Sequence, residues 1–217
     1  MPRAMVYDIT PTLSPSLAVW PGDTPLSRQV LCDMQRGDNI TLSTLHATVH
    51  LGAHADGPNH YAREGDSIES RSLDLYLGPC QVVRANVPGG ARVKIADLGL
   101  EISDLRSKIK APRILIATGT YPDPHNWNSD FAALEPTLVD QMHAAGVRLI
   151  GIDTPSVDLF ESKDLPAHDR FRANDMAILE GLVLKAVPEG VYELIALPLK
   201  LEGFDASPVR AVLRTIG

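Results

Sequence analysis

The sequence predicts a single mixed α/β domain dominated by β structure. Three observations lead there. The chain has 217 residues, the size of one large domain or two tightly packed lobes, and enough to bury roughly 70% of the unfolded surface. Its 17 Pro and 16 Gly are spread from end to end, so the elements between them are short. Finally, most apolar runs are brief and rich in Val, Ile and Thr, as strands are, while few stretches have helical spacing. Parallel βαβ repetition is too irregular for a doubly wound sheet or a TIM barrel.

In chain order, Met5–Ile9 reads as a first strand. The segment Val19-Trp20-Pro21-Gly22-Asp23-Thr24-Pro25 is a loop, because its prolines and Pro-Gly pair forbid a ladder. Arg28–Met34 and Asn39–Val49 are strand-like. Cys80–Val87 and Arg113–Thr118 are apolar runs bounded by Gly and Pro, hence buried strands. Thr137–Ala145 reads as a helix, with Thr137 as N-cap, Leu138, Met142 and Ala145 on one face, His143 on the exposed side, and Gly146 as the stop. Val147–Ile152, Ile178–Leu184, Tyr192–Leu197 and Val209–Arg214 complete a strand-rich second half.

Composition narrows the function. Hydrophobic residues make up 44% and charged residues 22%, with a mean hydropathy of -0.02, an ordinary globular balance. The net charge is -7 and the pI about 5.4. Without a basic run, this argues against nucleic acid. No apolar stretch approaches a membrane span, and the first residues lack the apolar run of a signal peptide. Cys32 and Cys80 are far apart and outside any Cys-x-x-Cys pair, reading as small apolar residues in a reducing compartment. The cytoplasm is the expected location.

The most informative stretch is His50-Leu51-Gly52-Ala53-His54-Ala55-Asp56-Gly57-Pro58-Asn59-His60. Four of the seven His fall between His46 and His60. Imidazole and carboxylate together are ligands for a catalytic divalent ion. Spacing constrains the backbone. A helix would place His50 and His54 on one face but turn Asp56 roughly 200° from His54. A strand would put all three on one face but hold His50 and His54 roughly 13 Å apart. Neither suits one ion at about 2.0–2.1 Å from each donor. The segment is therefore expected to be a bent loop at a strand end, with Gly52 and Gly57 supplying unusual backbone angles. His50, His54 and Asp56 would then converge on a metal and leave room for water. His60 is left to act as general acid/base. His46, His125 and His143 are expected to be non-ligands. The bland alternative for the cluster is a set of imidazoles that cap strands, bind surface water or satisfy a polar core.

This run resembles the His-x-Gly-Thr-His-x-Asp-x-Pro-x-His signature of the metal-dependent cyclase superfamily, and within it the chain is similar to the bacterial kynurenine formamidases (arylformamidases). Trp20–Pro25, Thr118-Gly119-Thr120-Tyr121-Pro122, Gly151–Asp158 and Ile178-Leu179-Glu180-Gly181-Leu182 carry the likeness across nearly the whole chain. Ala53 stands where Thr is usual, and Gly57 precedes the proline. The resemblance implies a swivelling β/β/α-type single domain over residues 1–217 and a homodimer. It also implies two Zn2+ per subunit, with Mn2+ or another divalent ion as alternatives. His50, His54 and Asp56 would hold the first ion, and Asp56, His168 and Glu180 the second. His60 would move protons and Trp20 would contact an aromatic small-molecule substrate. The implied reaction is hydrolysis of N-formyl-L-kynurenine to L-kynurenine and formate by metal-activated water, a step of tryptophan degradation by the kynurenine pathway.

Read from the residues alone, His168 is equally well an exposed loop His. Glu180 is more telling: a lone carboxylate among Ile178, Leu179, Leu182 and Val183 is costly to bury unless paired or coordinated. Trp20 is either a substrate wall or a packing residue. The chain has no Gly-x-Ser-x-Gly elbow, which argues against a serine hydrolase. The rival readings are hydrolysis of another cyclic or aryl amide, as by an isatin hydrolase, and a metal-binding protein without catalysis.

Overall fold

The computed structural model describes residues 4–216. Its strands are β1 (Val6–Asp8), β2 (Ser27–Cys32), β3 (Leu42–His46), β4 (His54–Asp56), β5 (Leu77–Arg84), β6 (Arg92–Val93), β7 (Arg113–Ala117), β8 (Ala133–Leu134), β9 (Leu149–Ile152), β10 (Ala177–Glu180), β11 (Gly190–Ile195), β12 (Ala206–Pro208) and β13 (Val212–Thr215). The helices are α1 (Leu105–Lys108), α2 (Pro136–Ala144) and α3 (Pro166–Ala173). The expected mixed, β-rich α/β architecture is what forms. Among the described residues, no helix is long and apolar enough to cross a membrane.

Nine strands form one sheet in the order β1-β13-β11-β5-β7-β9-β10-β4-β12. Its centre, β5-β7-β9-β10, is parallel, and the remaining pairs are antiparallel. The central strands are apolar on both faces, as buried parallel strands must be. Period-two alternation divides them. Ile114, Ile116, Ile150, Ile152 and Ile178 pack with Leu138, Val139 and Met142 of α2 and Ala167 and Phe171 of α3. Leu115, Leu149, Ala177 and Leu179 face the other way, onto Ile9, Tyr76, Leu182, Leu194 and Leu213. Cys80 is a buried free thiol within that second layer, and Cys32 is also free. β2 and β3 form a separate hairpin whose Leu31, Leu42 and Leu45 are exposed.

Several expectations change in detail. Helix α2 begins at Pro136, not after Thr137: Pro136 takes the first helical position with Glu135 before it, where a missing N–H costs nothing. The strand expected over Ile178–Leu184 ends at Glu180, because Gly181 turns the chain with φ 65°. Residues 166–173, read as a loop, are helical. Leu165 precedes that helix at φ 44° and ψ 51° and gives it no side-chain cap, so Pro166 at the first helical position is the local sign of it. The loop expected over the His cluster is only partly a loop. His54–Asp56 forms β4, held between β10 and β12, and the bend lies upstream at Gly52, with φ 60°. Gly57 is extended, at φ -85°. Its role is close packing: a Cβ there would stand 2.9 Å from the Ile68 nitrogen.

A second glycine contact joins the two halves of this region. A Cβ on Gly181 would lie 2.1 Å from the Gly52 carbonyl oxygen. Gly181→Ala adds this clash to a left-handed backbone, a strain that alone costs roughly 1–3 kcal/mol. We expect at least that loss in urea unfolding, with weakened metal binding, because the Gly52 carbonyl orients His54 (below).

Candidate metal centre and active site

The fold brings every residue of the expected site to one place. β4 pairs with β10 so that His54 stands opposite Glu180. Residues 54 and 56 share a strand face by the two-residue period. The Gly52 bend brings His50 back beside them, its ring centroid 4.9 Å from that of His54. A short 3₁₀ turn, Pro58–His60, places the His60 ring 4.1 Å from His50 and 6.1 Å from His168. Helix α3 delivers His168 from the helical layer.

Donor separations are short throughout. His50 Nδ1 and His54 Nε2 lie 3.3 and 3.4 Å from Asp56 Oδ1. His54 Nε2 is 3.3 Å from Glu180 Oε2. His168 Nε2 is 3.6 Å from Asp56 Oδ2 and 3.8 Å from Glu180 Oε1. Two tetrahedral ligands at about 2.0–2.1 Å from one Zn2+ stand roughly 3.3–3.4 Å apart. The side chains of His54, Asp56, His168 and Glu180 are at most 5% exposed.

Outer hydrogen bonds fix which nitrogen faces inward. His54 Nδ1 donates to the Gly52 carbonyl at 2.9 Å. His168 Nδ1 donates to Asp158 Oδ2 at 2.9 Å. Asp158 does more than orient that ring. Its carboxylate also accepts from the Ala167 and His168 backbone N–H groups and from Arg92 at 2.8 Å, so it caps α3 from outside the helix. His50 Nε2 meets Asp205 Oδ2 at 3.0 Å. Each inward nitrogen then faces carboxylate oxygens. His54 Nε2, His168 Nε2 and both Asp56 oxygens are buried without a hydrogen-bond partner, the approaches to His168 being too long and those to His54 and His50 misaligned for an N–H···O bond. Four orphaned buried polar atoms facing one another suit a divalent cation. Imidazole–carboxylate donors at these separations therefore suit the expected ions.

The electrostatics agree. Burial lowers the pKa of His54, yet Asp56 and Glu180 overcome it and push it up to about 10. His168 is likewise depressed by burial but raised to about 10 by Asp158 and Asp56. Burial raises Asp56, but the imidazoles of His168, His50 and His54 hold it well below the usual carboxylate range. His60 differs: burial is its largest influence and lowers its pKa, so it stays neutral near pH 7. Its Nδ1 faces Asp205 Oδ2 at 3.5 Å.

His50, His54, His60, His168 and Glu180 line a cavity of about 640 Å³. Trp20, Tyr121 and Trp127 form part of its wall. Trp20 is both packed and presented: it is 36% exposed, yet its ring lies 5.3 Å from Trp127 and 5.1 Å from Phe160. Asp153 and Ser156 also line the cavity. Asp153 accepts from the Thr118 N–H and hydroxyl and the Gly119 N–H. His46 and His143 are exposed on β3 and α2, and His125 lies against Ser16, all three apart from the cluster. Sequence reasoning missed Asp158, Asp205, Trp127 and Tyr121. Asp158 sits in the Gly151–Asp158 run but gives no sign there of reaching His168, and Asp205 has no local signal.

The same architecture recurs in solved structures of metal-dependent hydrolases. A potential metal-dependent hydrolase with cyclase activity superposes with a TM-score of 0.83 at 25% identity, over 99% of each chain. A predicted metal-dependent hydrolase from Bacillus stearothermophilus gives 0.80 at 26%, over 98% of this chain and 99% of that one. Isatin hydrolase A from Labrenzia aggregata, bound to benzyl benzoate, shares the fold at 0.78 and 18% identity, over 99% of this chain and 94% of that one. The Cyclase family model matches residues 7–159, and the chain belongs to that family. The matched stretch contains Trp20 and the whole 50–60 cluster, whereas His168 and Glu180 lie beyond it.

Two outcomes follow for metal binding. At pH 7, below about 10, both His54 and His168 hold a proton in the metal-free site, and a cation must displace them. Zn2+ binding should release about two protons per ion set and tighten by about tenfold per released proton for each pH unit gained; calorimetry in buffers of different ionisation enthalpy reads this directly. Asp158→Asn should weaken metal affinity about 10–100-fold, measured by competition with a chromophoric chelator.

Proposed function

We propose that the protein is a metal-dependent amidohydrolase that converts N-formyl-L-kynurenine to L-kynurenine and formate. The observation that carries the hydrolytic reading is the set of orphaned buried donors on His54, Asp56 and His168 beside a neutral, accessible His60. Kinship with metal-dependent hydrolases supports it. The sequence likeness to arylformamidases and the aromatic cavity wall support the substrate. In this reading His50, His54, Asp56, His168 and Glu180 hold one or two divalent ions, zinc first among them, and the protein is a homodimer, which static light scattering checks. A divalent ion there supplies Lewis acidity, polarising a carbonyl and making water a better nucleophile near neutral pH.

The chain's own part is positioning and proton transfer. Trp20, Tyr121 and Trp127 offer flat apolar faces to an aryl ring. His60 has Nδ1 toward Asp205, which leaves Nε2 as the basic nitrogen toward the cavity. It accepts the proton from the attacking water and returns it to the departing aniline nitrogen. An anilide nitrogen leaves more readily than an alkyl amine, so one imidazole suffices. Asp205 faces both His50 and His60 and keeps the two rings in register.

His60→Ala should retain its metal and lose about 10²–10⁴-fold in kcat on N-formyl-L-kynurenine, followed by absorbance of the product, while Asp56→Ala should lose metal and turnover together. A His60→Ala protein as active as the parent would end the catalytic reading in favour of a metal-binding role. Isatin hydrolysed faster than N-formyl-L-kynurenine by the parent would move the substrate assignment to a cyclic amide.

A further inference from the structure

The cavity carries charged groups that the hydrolytic reading does not use. Arg84 ends β5, and Lys185 follows Glu180 along the chain; both line the cavity. The parallel strands β5, β7, β9 and β10 bring Arg84, Thr118, Asp153 and Glu180 to their carboxyl ends. Open α/β sheets bind ligands at that edge. Five residue steps separate Lys185 from Glu180, so the two ends of this wall are at most about 18 Å apart.

Arg84 and Lys185 are held together by the backbone. The Val187 N–H donates to the Leu184 carbonyl at 3.0 Å, closing a turn that contains Lys185. Arg84 Nη2 donates to the Val187 carbonyl at 2.7 Å and docks this turn onto β5. The other guanidinium nitrogens form no hydrogen bond, and neither Arg84 nor Lys185 forms an ion pair among the described residues. The nearby carboxylates each take a hydrogen bond or belong to the site, and Glu189 Oε1 accepts from the Arg84 backbone N–H at 2.9 Å. Glu180 is in the candidate metal centre, Asp153 accepts three bonds from Thr118 and Gly119, and Asp23 accepts from the Thr24 N–H. Among the described residues, Arg84 and Lys185 are the only Lys or Arg residues in the cavity lining.

We propose that Arg84 and Lys185 form an anion subsite that selects ligands with an aromatic ring and a carboxylate remote from the bond to be hydrolysed. The cavity lining combines donors of the metal centre, the aromatic faces of Trp20, Tyr121 and Trp127, and two cations. The guanidinium offers a planar fork and the ammonium a mobile point charge, a pair suited to a carboxylate. The substrate assignment rests on the hydrolase reading above, whereas the ligand selectivity is measurable without turnover.

The chain has only two Trp residues, and both line the cavity, so tryptophan fluorescence reports its occupancy. The metal-loaded protein is titrated with 4-phenylbutanoate and with the neutral 4-phenylbutanamide. The acid should bind at least about tenfold more tightly. Lys185→Met should remove most of that preference, and Arg84→Lys, which keeps the charge but not the fork, should remove part of it. In parallel, the ratio of kcat/KM for N-formyl-L-kynurenine over formanilide should fall about tenfold in Lys185→Met. Equal binding of acid and amide by the parent, no binding of either, or an acid preference that survives Lys185→Met each overturns the subsite. If the parent hydrolyses neither substrate but shows the acid preference, the hydrolase reading fails while the subsite stands.

Discussion

Buried charge balance at Asp56 and Glu180 is the constraint on which the rest of this structure depends. A carboxylate taken out of water costs several kcal/mol unless the protein returns equivalent interactions. Here two carboxylates are buried within reach of the same imidazoles, and neither oxygen of Asp56 has a hydrogen bond. Positive charge must therefore be present, as protons on His54 and His168 or as a divalent ion. The misaligned 3.3–3.8 Å separations suit the ion better than the protons. What the protein invests in is the outer layer: the Gly52 carbonyl, Asp158 and Asp205 each fix one imidazole by its far nitrogen.

That outer layer ties the site to the fold. Asp158 is at once the cap of α3, the partner of Arg92 and the orienting group of His168. The Gly52 carbonyl sits against Gly181, so the bend that returns His50 and the turn that ends β10 pack as one unit. The Val157 N–H donates to Glu180 Oε1 at 2.7 Å and pins the carboxylate from a third direction. Few of these groups can shift alone, which is how a metal centre on short, irregular elements achieves the rigidity that catalytic geometry requires.

What the sequence made legible was local. Three imidazoles and a carboxylate inside eleven positions announce themselves by density, and the spacing argument found the bend and Gly52 within it, though it also assigned one to Gly57, which is extended, and read the strand His54–Asp56 as loop. Most strands were readable from apolar runs between Gly and Pro. Glu180 carried a faint signal, a charge within an apolar strand. His168 carried none as a ligand: Pro166 marks the start of its helix, but the capping side chain comes from Asp158, ten residues before His168. Only the likeness to known sequences pointed to it. Asp205, Trp127 and Tyr121 join the site through tertiary packing, and no periodicity or spacing encodes that.

The position of β4 in the sheet has a consequence for how the chain is made. This strand pairs with β10 on one edge and β12 on the other, and both lie more than a hundred residues later in the sequence. A chain emerging from the ribosome exposes its histidine-rich segment long before either partner strand exists, and β4 cannot form until the last third has been synthesised. Non-local pairing of this kind closes slowly. The parallel core β5-β7-β9 is available earlier, so the metal-binding segment threads into a sheet already partly built. In the interval its imidazoles and carboxylate are free to meet divalent ions as an unstructured ligand, and the final closure of the sheet has to accommodate whatever they have captured.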